Sequence, residues 1–182
     1  MEDVQSFAPV VGEAPRVLIL GSMPGVRSLS EAQYYAHPQN AFWTVMAKAF
    51  DLEVYGAYTD RLGELRRKGF ALWDVLASCR RSGSLDSAIE RGSEIPNDIV
   101  EFLDAYPSIR LVGFNGRAAE TLFRRHVLPT LSEAHKARLR FASLPSTSPA
   151  NASLSVDQKI SRWLVLREAF DTVMAAPDQK TY

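Results

Sequence analysis

The sequence predicts an α/β fold, in which helices cover both faces of a central, mostly parallel four-stranded sheet to form a three-layer α/β/α sandwich. Short apolar runs alternate with helical patterns along the chain, and the first run, Val-Leu-Ile-Leu, ends at Gly21. Such uninterrupted runs are typical of strands that are buried on both faces. The 182 residues, 46% hydrophobic and 23% charged, suit a single domain over 1–182 with a sizeable core.

The elements follow from these patterns in chain order. Strands are predicted at 14–21, 70–76, 109–114 and 139–144. Helices are predicted at 39–50, 60–68, 97–106, 117–125 and 156–175. Residues 79–89 are polar and rich in turn formers, so they are predicted to form a loop beside the sheet rather than a part of it.

Composition excludes several classes of function. Lys+Arg and Asp+Glu number 21 each, so net charge does not favour a polyanion partner. The longest apolar runs are too short to cross a bilayer and the N-terminus does not resemble a signal peptide, so we expect a soluble, cytoplasmic protein. A single cysteine, Cys79, and three scattered histidines show no metal-ligand spacing, so we expect no metal.

The stretch 34–43, Tyr-Tyr-Ala-His-Pro-Gln-Asn-Ala-Phe-Trp, is the part of the chain densest in groups that stack and hydrogen-bond. Proline pushes His37 toward an extended conformation, so a turn at His37-Pro38 and a helix start near Gln39 are predicted, with Asn40 in the first helical turn. The Asn40 carboxamide can hold a water molecule or contact a base edge. In the alternative interpretation, the aromatic residues belong to the core and Asn40 only starts a helix.

Three further polar features lie near or just after the ends of predicted strands. Asp74 either caps a turn or faces a ligand pocket, and Asn115-Gly116 is either a simple turn pair or part of the same site. Residues 145–151, Pro-Ser-Thr-Ser-Pro-Ala-Asn, are either a capped loop or a donor surface for a phosphodiester. Carboxyl ends of parallel strands share one edge of a sheet, so these features are expected to meet the loop 21–25 there.

These residues, in this order, resemble the uracil-DNA glycosylase superfamily, most closely its hypoxanthine-DNA glycosylase branch. The resemblance lies in Gly-Ser-Met-Pro-Gly at 21–25, the stretch 34–43, Trp73-Asp74-Val75, Phe114-Asn115-Gly116 and Leu-Pro-Ser-Thr-Ser-Pro-Ala-Asn at 144–151. It implies base excision from DNA without a cofactor, by a protein that we expect to be a monomer. A target base inside a duplex is out of reach, so it has to be flipped out.

Two departures from the superfamily pattern shape the mechanism that the resemblance implies. The first motif often carries an acid or amide that positions water, but this chain has Ser22 and Met23, so Asn40 is implied as the catalytic residue. Uracil-specific members often carry histidine where this chain has Leu144, which favours a purine-like leaving group over uracil. Hypoxanthine is the expected base, with uracil and xanthine as the alternatives.

The resemblance also implies a set of contacts with DNA. The residues implied to bind the base are Phe42 as a stacking surface, Asp74 and Asn115 at the base edge, and Gly21 and Ser22. The residues implied to contact phosphates are Pro145, Ser146, Thr147, Ser148, Asn151 and His37. The alternative is a non-catalytic nucleic-acid-binding module, in which the aromatic stretch only stacks an exposed base. A small-molecule hydrolase is disfavoured because no nucleophile-elbow pattern is present.

Overall fold

The computed structural model describes residues 2–175, with the side chains of Glu2 and Val173 left out of the description. Its strands are β1 (Glu2–Gln5), β2 (Val17–Gly21), β3 (Phe70–Asp74), β4 (Leu76–Arg81), β5 (Ile95–Pro96), β6 (Leu111–Asn115) and β7 (Arg140–Leu144). The main sheet has the order β3-β2-β6-β7, and all of its neighbouring strands are parallel. The predicted parallel four-stranded sheet is thereby confirmed.

Helices lie on both sides of this sheet. They are α1 (Val26–Glu31), α2 (Phe42–Phe50), α3 (Tyr58–Arg67), α4 (Ile99–Ala105), α5 (Arg117–His126), α6 (Glu133–Arg138) and α7 (Val156–Ala175). Short 3-10 turns occur at Asp86–Ala88 and Leu128–Thr130. The five predicted helices are present, with bounds that differ by a few residues, whereas α1 and α6, of six residues each, were not predicted.

Two apolar clusters fill the space between the layers. Successive residues of a strand point to opposite faces, so Val17 and Ile19 of β2 belong to one cluster while Leu18 and Leu20 belong to the other. The first cluster contains buried residues of α2, α3 and α7, and the second contains buried residues of α4 and α5. The result is the predicted α/β/α sandwich, with β2 buried throughout.

A second, antiparallel sheet corrects the prediction for residues 79–89. β4 pairs with β1 and β5, so Cys79, Arg80 and Arg81 are strand residues rather than loop residues. Burial alternates at the end of this strand as expected, since Cys79 and Arg81 are buried and Arg80 between them is exposed. One of the buried residues is a charged arginine rather than an apolar residue. A buried arginine removes the polarity contrast from which strands are normally recognised.

The start of α2 differs from the prediction in a way that affects the site. Asn40 precedes the helix, which begins at Phe42, because residues 37–40 form a turn in which the Asn40 N–H donates to the His37 carbonyl at 2.8 Å. This turn is fixed to the loop after β7, since the Ala41 N–H donates to the Thr147 carbonyl at 3.0 Å. The aromatic stretch is thereby held at the carboxyl edge of the main sheet.

No helix within residues 2–175 is both long and apolar enough to cross a membrane.

Candidate active site

A cavity of about 140 Å³ lies at the carboxyl edge of the main sheet. Its volume is below the roughly 300–1,000 Å³ usual for drug-sized ligands, so it suits one flat ring system rather than a whole nucleotide. The structure brings together most of the predicted site residues in its lining, namely Gly21, Ser22, His37, Asn40, Asp74, Asn115, Ser146, Thr147 and Ser148. Phe42, Pro145 and Asn151 lie outside the lining.

Position 21 has no room for a side chain, because the Asp74 carboxyl occupies the adjacent space. The two residues are register partners at the ends of β2 and β3. A Cβ atom at position 21 would lie 2.4 Å from Asp74 Oδ1 and 3.3 Å from the Tyr35 hydroxyl. Glycine is therefore the residue that lets Asp74 and Tyr35 meet at the base of the cavity.

Asp74 is a buried carboxyl that faces the cavity. It is 3% exposed, and its Oδ2 has no hydrogen-bond partner among the residues that the structure describes. Burial, together with the negative charge of Asp86, raises the pKa of Asp74 to about 8, and Arg81 opposes this change. Near pH 7 the group is therefore mostly a neutral carboxylic acid, which both donates and accepts hydrogen bonds.

This raised pKa makes the stability of the protein depend on pH. Between the ordinary pKa of aspartate and about 8, the unfolded chain releases a proton that the folded protein keeps, so stability falls as pH rises. We expect Asp74→Asn to remove this loss. The difference in free energy of unfolding, variant minus wild type, should increase by an amount on the order of several kcal/mol between pH 4 and about pH 8. Above that pH the difference should stay constant.

Urea denaturation at a series of pH values measures this difference. Asp157→Asn, at an exposed position of α7, is the matched control and should follow the wild-type pH dependence. Parallel curves for Asp74→Asn and wild type would contradict a protonated Asp74.

Asn115 is held in a defined orientation by Thr147. The Thr147 N–H donates to Asn115 Oδ1 at 2.9 Å, and Asn115 Nδ2 donates to Thr147 Oγ1 at 2.9 Å. A backbone N–H only donates, so the atom that it contacts has to be the amide oxygen. The carboxamide therefore presents its remaining donor and acceptor sites in fixed positions. Thr147, which was predicted to contact phosphate, is fully buried and orients Asn115.

Gly116, which follows Asn115, is more than a turn residue. It has a φ of 103° and accepts no Cβ, because that atom would lie 2.8 Å from Ser146 Cβ. The glycine allows β6 to end in close contact with the loop after β7. The same loop is supported from below by Lys159, a buried residue of α7 whose ammonium donates to the Ser148 carbonyl at 3.1 Å.

Asn40 lines the cavity and is partly exposed. Its Oδ1 accepts the Phe42 N–H at 3.0 Å, which fixes the carboxamide at the start of α2. One acceptor site on Oδ1 and the Nδ2 donors remain. Asn40 therefore has both features that the sequence suggested: it makes a hydrogen bond at the start of a helix, and its carboxamide lies at a pocket.

Tyr34 and Tyr35, rather than Phe42, are the aromatic residues in the cavity lining. Phe42, the predicted stacking surface, is fully buried beneath Tyr35, with ring centroids 4.0 Å apart and planes 21° apart. Tyr35 has a φ of 55°, a backbone conformation that is rare for bulky residues and is often found at functional sites. This local backbone turn, which residue types do not reveal, brings the Tyr35 ring above Phe42.

The Tyr35 hydroxyl is buried and makes no hydrogen bond with good geometry to any residue in 2–175. Burial and the neighbouring Asp74 raise the pKa of this hydroxyl, and the Asn115 amide lies near enough to oppose that change without the geometry of a hydrogen bond. The hydroxyl therefore remains a neutral donor with no committed acceptor, close to Asp74 and Asn115.

The predicted phosphate contacts divide into two groups. His37, Ser146 and Ser148 line the cavity. His37 is exposed, and the two serines are half-buried. Pro145 and Asn151 lie outside the cavity lining and make hydrogen bonds that hold the loop. The Pro145 carbonyl accepts from Trp163 Nε1 at 3.0 Å, and Asn151 Nδ2 donates to the Ser146 carbonyl at 3.1 Å.

Sequence analysis missed one wall of the cavity, formed by residues that follow β4. Ser84 and Asp86 line the cavity, and Ser22 Oγ donates to Asp86 Oδ1 at 2.7 Å. Arg81, which is 1% exposed, lies behind them, with Nη1 3.9 Å from Asp86 Oδ1 and Nη2 bonded to the Pro24 carbonyl. In the sequence, the pair of arginines was the only feature of this segment that pointed to a part in the site.

Within residues 2–175, no group of three or more histidine, cysteine, aspartate or glutamate side chains is arranged to hold a metal ion.

Comparison with known proteins agrees with this fold. The Uracil DNA glycosylase superfamily model matches residues 8–167. A protein named hypoxanthine DNA glycosylase from Methanosarcina barkeri is 38% identical over 114 residues, 62% of this chain and 71% of the relative. Its namesake from Methanosarcina acetivorans is 37% identical over 141 residues, 72% of this chain and 88% of the relative.

A solved structure shows the same architecture. The solution NMR structure of a candidate uracil DNA glycosylase from Methanosarcina acetivorans superimposes with a TM-score of 0.74 and 31% sequence identity. The match covers 93% of this chain and 99% of the solved one. With the superfamily match extending over 8–167, the chain belongs to the uracil DNA glycosylase superfamily.

Proposed function

We propose that this protein is a monofunctional DNA glycosylase that flips a deaminated base, with hypoxanthine as the preferred one, out of DNA and hydrolyses its N-glycosidic bond. The observation that carries the proposal is the base-sized cavity in which Asn40, Asp74 and Asn115 are gathered. The relatives named hypoxanthine DNA glycosylase support the choice of base. Because its substrate is DNA, we expect the protein to act inside the cell.

The edge of hypoxanthine matches the polar groups in the cavity. The base carries an acceptor at O6 beside a donor at N1–H. A neutral Asp74 offers a donor and an acceptor side by side, and Asn115, oriented by Thr147, offers the same pair in fixed positions. Buried polar groups of this kind disfavour a base that leaves them unpaired.

The flipped base also needs an apolar surface. Tyr35 provides a ring at the cavity that is supported from behind by Phe42. We assign Tyr35 the direct stacking contact and Phe42 the role of its support. Flipping costs a few kcal/mol and costs least for damaged or mispaired bases, which contributes to selectivity.

Hydrolysis of the bond passes through an oxocarbenium-like sugar, which requires a well-placed water molecule and a stabilised leaving base. Asn40 is fixed by its bond to the Phe42 N–H and still has an acceptor site for a hydrogen of that water. As the base departs with the bonding electrons, the neutral Asp74 donates a hydrogen bond to the developing negative charge.

The DNA backbone is expected to run along the rim of the cavity. Ser146 and Ser148 offer hydroxyl groups there, and His37 is exposed beside them. Lys159 supplies a positive charge beneath this loop. These contacts fix the position of the DNA without reading its sequence.

A panel of duplex oligonucleotides tests the proposed substrate. Each duplex carries one deoxyinosine, deoxyuridine, deoxyxanthosine or normal deoxyadenosine, and hot alkali cuts the strand wherever a base has been lost. We expect the deoxyinosine strand to be cut fastest and the deoxyadenosine strand to remain intact. Cutting at deoxyuridine alone would move the preference to uracil, and an intact set of strands would contradict the glycosylase function.

A further inference from the structure

Asp86 brings a second carboxylate to the cavity, from the segment that follows β4. It begins the 3-10 turn Asp86–Ala88 that follows β4, and its side chain is 38% exposed. Of the described residues that line the cavity, Asp74 and Asp86 carry carboxylates. Asp74 is buried and its Oδ2 has no partner among the described residues, whereas Asp86 is partly exposed and is held by neighbours.

The Asp86 carboxylate is oriented from two sides. Ser22, at the end of β2, donates its hydroxyl hydrogen to Asp86 Oδ1 at 2.7 Å. Arg81 approaches the same oxygen, with Nη1 at 3.9 Å, and is itself anchored to the Pro24 carbonyl. Both neighbours act on Oδ1, so they fix the orientation of the carboxylate and leave Oδ2 as its free oxygen within the described structure.

The attacking water has to lose a proton, and Asn40 is a poor acceptor because a carboxamide is scarcely basic. Asp74 is buried beside the position of the base. His37 is exposed, and its Nδ1 already accepts the Gln39 N–H at 3.1 Å. We propose, on the basis of the glycosylase function above, that Asp86 is the general base that accepts the proton of the water held by Asn40, with Ser22 and Arg81 as its positioning residues.

The step balances without a further reactant. The water oxygen bonds to C1′ of the deoxyribose while the bond from C1′ to the base breaks, and its electron pair leaves with the base. The water proton passes to Asp86, and the departing base anion takes a proton from solvent. The products are an abasic sugar with a hydroxyl on C1′ and the free base, after which Asp86 returns its proton to solvent.

The charges that face Asp86 determine the pH dependence of this step. Partial removal from water raises the pKa of Asp86 above the usual aspartate value, while the hydrogen bond from the Ser22 hydroxyl and the charge of Arg81 on β4 favour the ionised form. Asp74 on β3 is the other carboxyl of the cluster, and it is mostly neutral below about pH 8. The rate should therefore rise with pH as Asp86 ionises, at a pH above the ordinary range for aspartate.

Single-turnover cleavage of a deoxyinosine duplex between pH 4.5 and 7.5 tests the role of Asp86. Asp86→Asn keeps an oxygen for the Ser22 hydroxyl, so the loop can stay in place. We expect its rate at pH 7 to fall by about 100-fold or more, and the rise of rate with pH to disappear. Ser22→Ala should keep that rise but shift it to higher pH, because the hydrogen bond from Ser22 stabilises the ionised carboxylate.

Two controls separate this role from others. Asp157→Asn, on the exposed face of α7, should behave as wild type, and His37→Gln should keep the rise of rate with pH. A wild-type rate and pH profile for Asp86→Asn would overturn the inference while leaving the glycosylase function intact. If wild type cuts none of the modified duplexes, the function and the inference fail together.

Discussion

Replacing Asn40 by alanine is expected to lower the single-turnover rate of hypoxanthine release by about 100-fold or more, because a water displaced by about 1 Å loses the geometry that attack requires. Within residues 2–175, the one hydrogen bond of the Asn40 side chain is the one that its Oδ1 accepts from the Phe42 N–H, at 3.0 Å. DNA binding should change little, since the flipped base contacts other residues. Rapid-quench kinetics gives the rate, and fluorescence anisotropy gives the dissociation constant.

Loss of the Phe42 contact is also expected to destabilise the start of α2 by about 1 kcal/mol, so stability has to be controlled. Asn40→Ser retains an oxygen that can accept the Phe42 N–H and should recover much of the stability without recovering the rate. Gln39→Ala, at the exposed neighbouring position, should match wild type in both. A rate for Asn40→Ala within a few-fold of wild type would remove Asn40 from the reaction.

Replacing Asp74 by alanine is expected to lower the rate by about 10²- to 10³-fold, the usual cost of removing a donor to a developing negative charge. The pH dependence gives a sharper test. The pKa of Asp74 is about 8, so above that pH an anion would face the departing base anion. The wild-type rate should therefore fall as pH rises through about 8.

Asp74→Asn keeps a neutral donor at the same place and should be slower than wild type near pH 7 without the decline at high pH. The measurement is the single-turnover rate between pH 7 and 9.5, with Asp157→Asn as the control. A wild-type rate that rises through this range would indicate that the ionised carboxylate is the active form, and the proposed role as a neutral donor would be wrong.

The main sheet was predictable because its information is local. The four apolar runs are each a few residues long, and a strand that is buried on both faces, such as β2, leaves an unbroken apolar pattern in the sequence. The position of the cavity follows from this, since Gly21, Asp74 and Asn115 stand at strand ends that share one edge. β1 and β4 were missed because their segments carry acidic residues and arginines.

The roles of individual side chains depended on contacts that a sequence does not record. Adjacent aromatic residues gave no indication that Tyr35 lies above Phe42, since this order depends on the left-handed backbone at Tyr35. Burial of Thr147 follows from its two bonds to Asn115, 32 positions earlier in the chain. Asp86 joins the cavity through Ser22, 64 positions away, and through a buried Arg81 in an unpredicted strand.

The most direct test of the account is the fate of a duplex that carries a single deoxyinosine. Liquid chromatography with mass spectrometry of a single-turnover reaction should detect free hypoxanthine and an equal amount of a full-length strand with an abasic site. Tight binding of the duplex without any free base would identify a non-catalytic nucleic-acid-binding module and would contradict the proposed chemistry of Asn40, Asp74 and Asp86.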